Sequence, residues 1–214
     1  MNYRDFRDWE NLQKAMFDGE GLYEIPIIKP EHYVDEVQLI DFNQAVKTNS
    51  SGGKGKGVHF FIDDYHFVGI WKNIDKYIPI LKRFDIVLSP DFSIYTDFPK
   101  AIQIYNHYRK HWVGAYLQSK GVTVIPTITW STPDTFDFCF DGEPKHSTVA
   151  VSSVGCMKDD FGRRLFIDGW DEMMKRIEPE NVIFYGQMPQ EIRGNIIHIA
   201  PFADKFKKLK VEGA

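Results

Sequence analysis

Two adjacent carboxylates, Asp63 and Asp64 in FIDDY (61–65), and a third, Asp91 in LSPDFS (88–93), each follow directly on an apolar run. Carboxylates that share a site can divide into an acid and a base, as hydrolysis and glycosyl transfer require. Three together could hold Mg²⁺ for phosphoester cleavage. The same switch from apolar to polar recurs in IPTITWS (125–131), VSSVGC (151–156) and FYGQM (184–188). With the segment after Asp91, these exits supply the candidate ligand-binding residues Ser93, Tyr95, Asp97, Thr127, Trp130, Ser131, Ser152, Ser153, Gly155 and Cys156. Tyr95 and Trp130 offer rings to stack on a nucleobase or sugar. Arg109 adds a planar fork for a carboxylate or phosphate, against the plainer alternative of a surface ion pair. Helix capping competes as an explanation, with Asp64 before a helix at 65, Ser131 or Thr132 before a short one, and Asp97 before Pro99. Capping explains one polar residue per exit better than the doubled sets Asp63-Asp64 and Ser152-Ser153.

Other chemistries are less well supplied. His107 and His111 stand four apart on a helix, a spacing that suits a metal, but NHYRKHW places them beside Arg109 and Lys110 and reads as an exposed basic face. The histidines form no HExxH or HxH pattern. Cys156 follows Gly155 and precedes a helix whose dipole would favour a thiolate, yet no histidine lies near it to act as base. Cys139 and Cys156 have no metal-type spacing and read as reduced thiols. KTNSSGGKGKG (47–57) matches neither the Walker pattern nor GxGxxG, and reads as a flexible loop with phosphate contact as the alternative.

The elements that must position these groups follow from periodicity. Residues 1–22 read as an amphipathic helix through Phe6, Trp9, Leu12 and Met16, and an extended arm then leads to a short strand or turn at 37–42. Strands are expected at 58–62, 85–89, 122–130, 148–153, 181–186 and 195–201. Between them the spacing predicts a broken helix over 65–84, with Pro79 starting its second piece, a long helix over 98–120, a short one over 132–139 and another over 161–178. Alternating strands and helices call for an α/β fold with a mostly parallel sheet. The number of units suits an incomplete or irregular TIM-like barrel, with an open doubly wound sheet as the alternative. Both architectures gather strand exits at one end, where ligands bind. Residues 1–57 are read as helix, arm and loop, 58–203 as the α/β core and 204–214 as a basic tail, all in one domain.

A chain of 214 residues with net charge −4 has no global field to draw nucleic acid, which leaves only a local basic groove for that partner. No apolar run is long enough for a membrane helix, and MNYRDFRDWENL has no signal-peptide character, so a cytoplasmic protein is expected. The segments GVHFFIDDY, LSPDFSIYTDFP, IPTITWS, DFCFDG-P, VAVSSVGCMK and VIFYG resemble domain-of-unknown-function family 4417 across residues 22–207. The resemblance implies a protein encoded by a phage, prophage or mobile element, and transfers no catalytic assignment. The sequence thus suggests a pocket at the strand ends for a nucleotide, phosphosugar or nucleobase-like compound, used in hydrolysis or glycosyl transfer. The alternative is a non-catalytic module that sequesters a host signalling nucleotide or blocks a host defence protein.

Overall fold

Continuous β-branched and aromatic runs form strands here because both sheet faces are covered. A computed structural model describes residues 10–47 and 53–200. A two-residue antiparallel pair, β1 (Gly19–Glu20) with β2 (Ile25–Pro26), comes first. The core then alternates through β3 (Gln38–Asp41), α1 (Phe42–Lys47), β4 (Gly53–His59), α2 (Gly69–Lys72), α3 (Ile74–Leu81) and β5 (Phe84–Leu88). It continues as α4 (Lys100–Ser119), β6 (Val124–Ile125), β7 (Thr148–Ser152), α5 (Asp160–Ile177), β8 (Asn181–Tyr185) and β9 (Ile196–Ile199).

Strands β3-β4-β5-β6 form one parallel sheet and β7-β8-β9 another. A parallel bridge between Thr127 and Ala150 joins them. At that seam Ile128 N–H donates to Ala150 O and Ala150 N–H to Pro126 O, both at 2.8 Å. Spatial order therefore follows chain order from β3 to β9. It contains no reversal, and a doubly wound sheet needs one.

The sheet is also strongly curled. The ring of His59, on β4, lies 4.5 Å from that of Tyr185, on β8, and Phe61 lies 5.3 Å from the same ring. Four inter-strand steps separate β4 from β8, about 19 Å on a flat sheet. The concave face buries Phe61, Ile86, Leu88, Ile125, Ala150, Ile183 and Tyr185 in one cluster, with Leu39, Ile197 and Ile199 packed against it. On the convex face, α1 to α4 cover β4 and β5 in a second cluster, and α5 covers β7 and β8 in a third. Among the described residues β3 and β9 do not pair with each other, so no closed barrel forms.

Several local expectations are corrected. Within the expected 1–22 helix, residues 10–14 form turns, in which Glu10 and Asn11 have φ of 50° and 66°, and residues 19–20 pair as β1. Residues 1–9 of that helix and the basic tail at 204–214 lie outside the described residues. The described part of the Gly/Lys segment is strand, since Gly53–His59 pairs with β3 and β5 on either side. Pro79 sits late in α3, not at its start, and the helix expected at 132–139 is only a 3-10 turn at Pro133–Thr135.

Candidate functional site

The exits of β4 to β7 and the first turns of α5 enclose a cavity of about 590 Å³. Of the residues singled out from the sequence, Asp63, Asp91, Ser93, Tyr95, Trp130, Ser131, Ser152, Gly155 and Cys156 line it. Asp64, Asp97, Arg109, Thr127 and Ser153 do not. Thr129, Lys158, Phe161 and Phe166 line it as well, although sequence reasoning passed over them.

Capping does not explain the acidic exits. Neither the 3-10 turn at Asp64–His66 nor α4 has a side-chain cap. Asp64 instead accepts from Ser93 Oγ at 2.8 Å and from Ser93 N at 3.2 Å. Ser93 O in turn accepts from Asn106 Nδ2 of α4 at 2.5 Å, so the segment after β5 is tied on two sides. The Arg109 guanidinium lies 3.8 Å from the centre of the Phe92 ring and 3.9 Å from Asp64 Oδ2. Its side chain is largely buried and does not line the cavity, so this is not an ordinary surface pair, and its Nε has no hydrogen-bond partner. Thr127 is likewise structural, with its hydroxyl donating to Ser89 O at 2.8 Å. Ser153 donates to Gln187 O at 2.8 Å, and Asp97 is exposed on a turn outside the cavity.

Asp91, with Asp63, is one of the two predicted catalytic carboxylates on the cavity wall. It accepts from Thr129 Oγ1 at 2.6 Å on the cavity wall. Burial pushes its carboxyl above the ordinary range, the Thr129 bond and the Lys110 ammonium oppose this, and the charge of Asp64 adds to it. The three aspartates do not form a cluster tight enough to share one ion, so the Mg²⁺ site that three carboxylates could have made is not assembled among the described residues. Asp64 is held away by Ser93 and Arg109, and Asp91 is turned to Thr129. Cys156 is no activated thiol, because burial and then Asp91 push its pKa up to about 11. Ser131 differs from the other hydroxyls. Its Oγ is buried at the cavity and has no hydrogen-bond partner. Trp130 forms an apolar wall, its indole N–H donating to Leu165 O at 3.2 Å, while Tyr95 and Phe161 stand half-exposed at the mouth.

A second polar group lies under α4. His107, Lys110 and His111 are buried, so the exposed basic face expected there is overturned. Lys110 Nζ donates to Thr127 O and to Glu143 Oε1, each at 2.7 Å, and His111 Nε2 lies 2.9 Å from the same carboxylate oxygen. Burial alone would raise the Glu143 carboxyl, but Lys110 and His111 together hold it below its ordinary value. Glu143, in DGEPKHS, carried no local signal in sequence. Its partners lie more than thirty positions away, as the separations of 33 and 32 residues show.

Residues 17–203 match the family described as Domain of unknown function (DUF4417). The chain belongs to this family. Every cavity residue and the buried group under α4 fall within the matched DUF4417 span. The chain is 42% identical over 175 residues to the Gene 1 protein of Mycobacterium phage L5, covering 82% of this chain and 76% of that one. It is 40% identical over 175 residues to the Gene 1 protein of Mycobacterium phage D29, covering 82% of this chain and 64% of that one. No solved structure matches. Among the described residues of this DUF4417 domain no helix is long and apolar enough to cross a membrane.

Proposed function

We propose that the strand-end cavity binds a polar ring compound, a nucleobase, nucleoside or sugar, and that Asp91 acts on it as an acid in hydrolysis or glycosyl transfer. The observation that carries this reading is the unpartnered Ser131 hydroxyl, buried at a cavity that Trp130 and Asp91 also line. A buried polar group without a partner points to something that completes it. Aromatic walls with a few fixed polar groups are the usual make-up of small-molecule sites. Asp63, Asp91 and Asp159 line the cavity against one Lys158, which favours a neutral ring over a heavily phosphorylated compound. In the hydrolytic form, Asp91 gives its proton to the leaving atom as the glycosidic bond breaks, and water adds its hydroxyl to the sugar carbon while its other proton restores Asp91.

The curled, sequentially ordered sheet supports an incomplete TIM-like barrel as the scaffold, with this cavity at its C-terminal face. The phage relatives support action inside an infected bacterial cell. A non-catalytic, sequestering role rests on a different observation: Asp64, whose charge bears on Asp91, is already engaged by Ser93 and Arg109.

The test is mass spectrometry of compounds retained by the purified protein, followed by incubation with nucleosides and sugars and analysis after heat release. Bound compound that returns changed, with the change lost in Asp91→Asn, supports catalysis. Compound that returns intact supports sequestration. Binding that survives Trp130→Ala and Ser131→Val at full strength overturns the site.

A further inference from the structure

Among the described residues, one group of three or more side chains could ligate a metal: His107, His111 and Glu143, whose donor atoms lie within 4.8 Å of one another. All three are buried, and so is their neighbour Lys110. The tautomers are fixed by what each ring faces. A backbone carbonyl can only accept, so His111 must carry a proton on Nδ1, 2.9 Å from Pro26 O. By the same reasoning His107 carries one on Nε2, 3.1 Å from Asp141 O. In their neutral forms, His107 Nδ1 and His111 Nε2 are then lone pairs. This is the arrangement of metal-ligating histidines, whose second nitrogen is anchored on a carbonyl or carboxylate.

Glu143 supplies the third donor. Its Oε1 accepts from Lys110, whereas its Oε2 is buried with no partner at all. A neutral His111 would face a carboxylate oxygen with its own lone pair at 2.9 Å, a repulsive contact unless a cation or a proton lies at the gap. Two ligands of one tetrahedral zinc ion lie roughly 3.3 Å apart, given metal–ligand distances of about 2.0–2.1 Å. The observed gap is within a few tenths of an ångström of that.

We infer that His107, His111 and Glu143 form a site for a late first-row divalent metal ion, with zinc the best match to two imidazoles and one carboxylate. Glu143 would hold the ion with both oxygens, Oε1 at the His111 gap and the unpartnered Oε2 beside it, while Oε1 keeps its bond from Lys110, so that one carboxylate serves both cations. The ion would fasten α4 to the turn at 141–143 and, through His111, to the carbonyl of Pro26. The site is separate from the cavity ligand proposed above and does not depend on it.

The rival occupant is a proton shared between His111 and Glu143, and metal analysis separates the two. The protein is produced in zinc- or cobalt-supplemented medium and dialysed, and its metal is then quantified. About one equivalent per chain is expected, with visible d–d absorption for cobalt, and both fall at least about tenfold in folded His107→Gln and Glu143→Gln. Metal retained at full stoichiometry by folded His107→Gln would overturn the site. If the variants do not fold, the wild type decides alone. Stoichiometric metal with imidazole-type cobalt bands upholds the site, and a metal-free chain whose Tm does not respond to added Zn²⁺ leaves only the proton.

Discussion

At the scale of single residues, burial decides what each ionisable group can do. Asp91 has a folded pKa above its unfolded one, so the folded state binds the extra proton and stability falls as pH rises past 3.8. Asp91→Asn is therefore expected to raise the urea midpoint at neutral pH, with the gain fading as pH approaches 3.8, where both states are protonated. A variant that is more stable yet unable to act on ligand is the signature of a group held for function. His59 has the opposite sign. Burial lowers its pKa from 6.5 to about 4, against a small pull from Asp41. Its Nδ1 accepts from Phe61 N–H at 3.1 Å, which also requires the neutral ring. Between pH 6.5 and 4 the unfolded state binds more protons, so stability should drop as pH falls through that window. The contribution is on the order of 3 kcal/mol for a shift of this size. His59→Phe should be weaker at pH 7, because Phe61 N–H loses its acceptor, but should show a flatter decline in pH-dependent urea melts.

At the scale of elements, the cavity wall and the buried polar layer each depend on one close approach. A Cβ at Gly169 of α5 would stand 2.1 Å from the Trp130 indole, so the absence of a side chain is what lets that ring lie against the helix. Gly169→Ala gains about 1 kcal/mol of helix propensity, but overpacking of this kind costs roughly 1–3 kcal/mol. A net loss of stability with a displaced Trp130 and weaker ligand binding is expected from calorimetry and titration. Under α4, Lys110→Met strips one partner from a buried carboxylate and should cost about 3–5 kcal/mol. A double-mutant cycle with Glu143→Gln would show coupling between the two. These elements also mark where sequence reasoning reached and where it stopped. DIVL, TVAVS and NVIFY were readable as strands because each carries an unbroken run of three or four apolar residues that the fold buries. GKGKG was not, because its strand character comes from pairing with β3 and β5 on either side. The polar exits were readable because each directly follows an apolar run. Whether such a residue faces the cavity or ties down a loop was not readable, since Asp64 and Asp91 differ only in partners 29 and 38 residues away. The layer of His107, Lys110 and His111 was misread for the same reason. Its neutralising partner, Glu143, is remote in sequence, so the helix face looks basic until the chain is folded.

At the scale of the whole molecule, the curl of the sheet makes its two hydrogen-bonded halves share one interior. Tyr185 is the clearest link: it belongs to β8, yet its ring packs on His59 and Phe61 from the β4 side. The alternative is two sheets that, despite this contact and the Thr127–Ala150 seam, unfold separately. Tyr185→Ala distinguishes them. Truncating a buried aromatic costs roughly 3–5 kcal/mol wherever it sits. In a shared interior that loss must appear in both halves, because β3 to β6 lose the same packing partner as β7 to β9. Hydrogen exchange should then speed up together in Phe84–Leu88 and Asn181–Tyr185, by a common factor that matches the fall in global stability. Acceleration confined to β7, β8 and β9 would mean that the halves are independent. The cavity would then lie on a hinge between two bodies and not at the mouth of one, and the fixed geometry asked of Asp91, Trp130 and Ser131 would be lost with it.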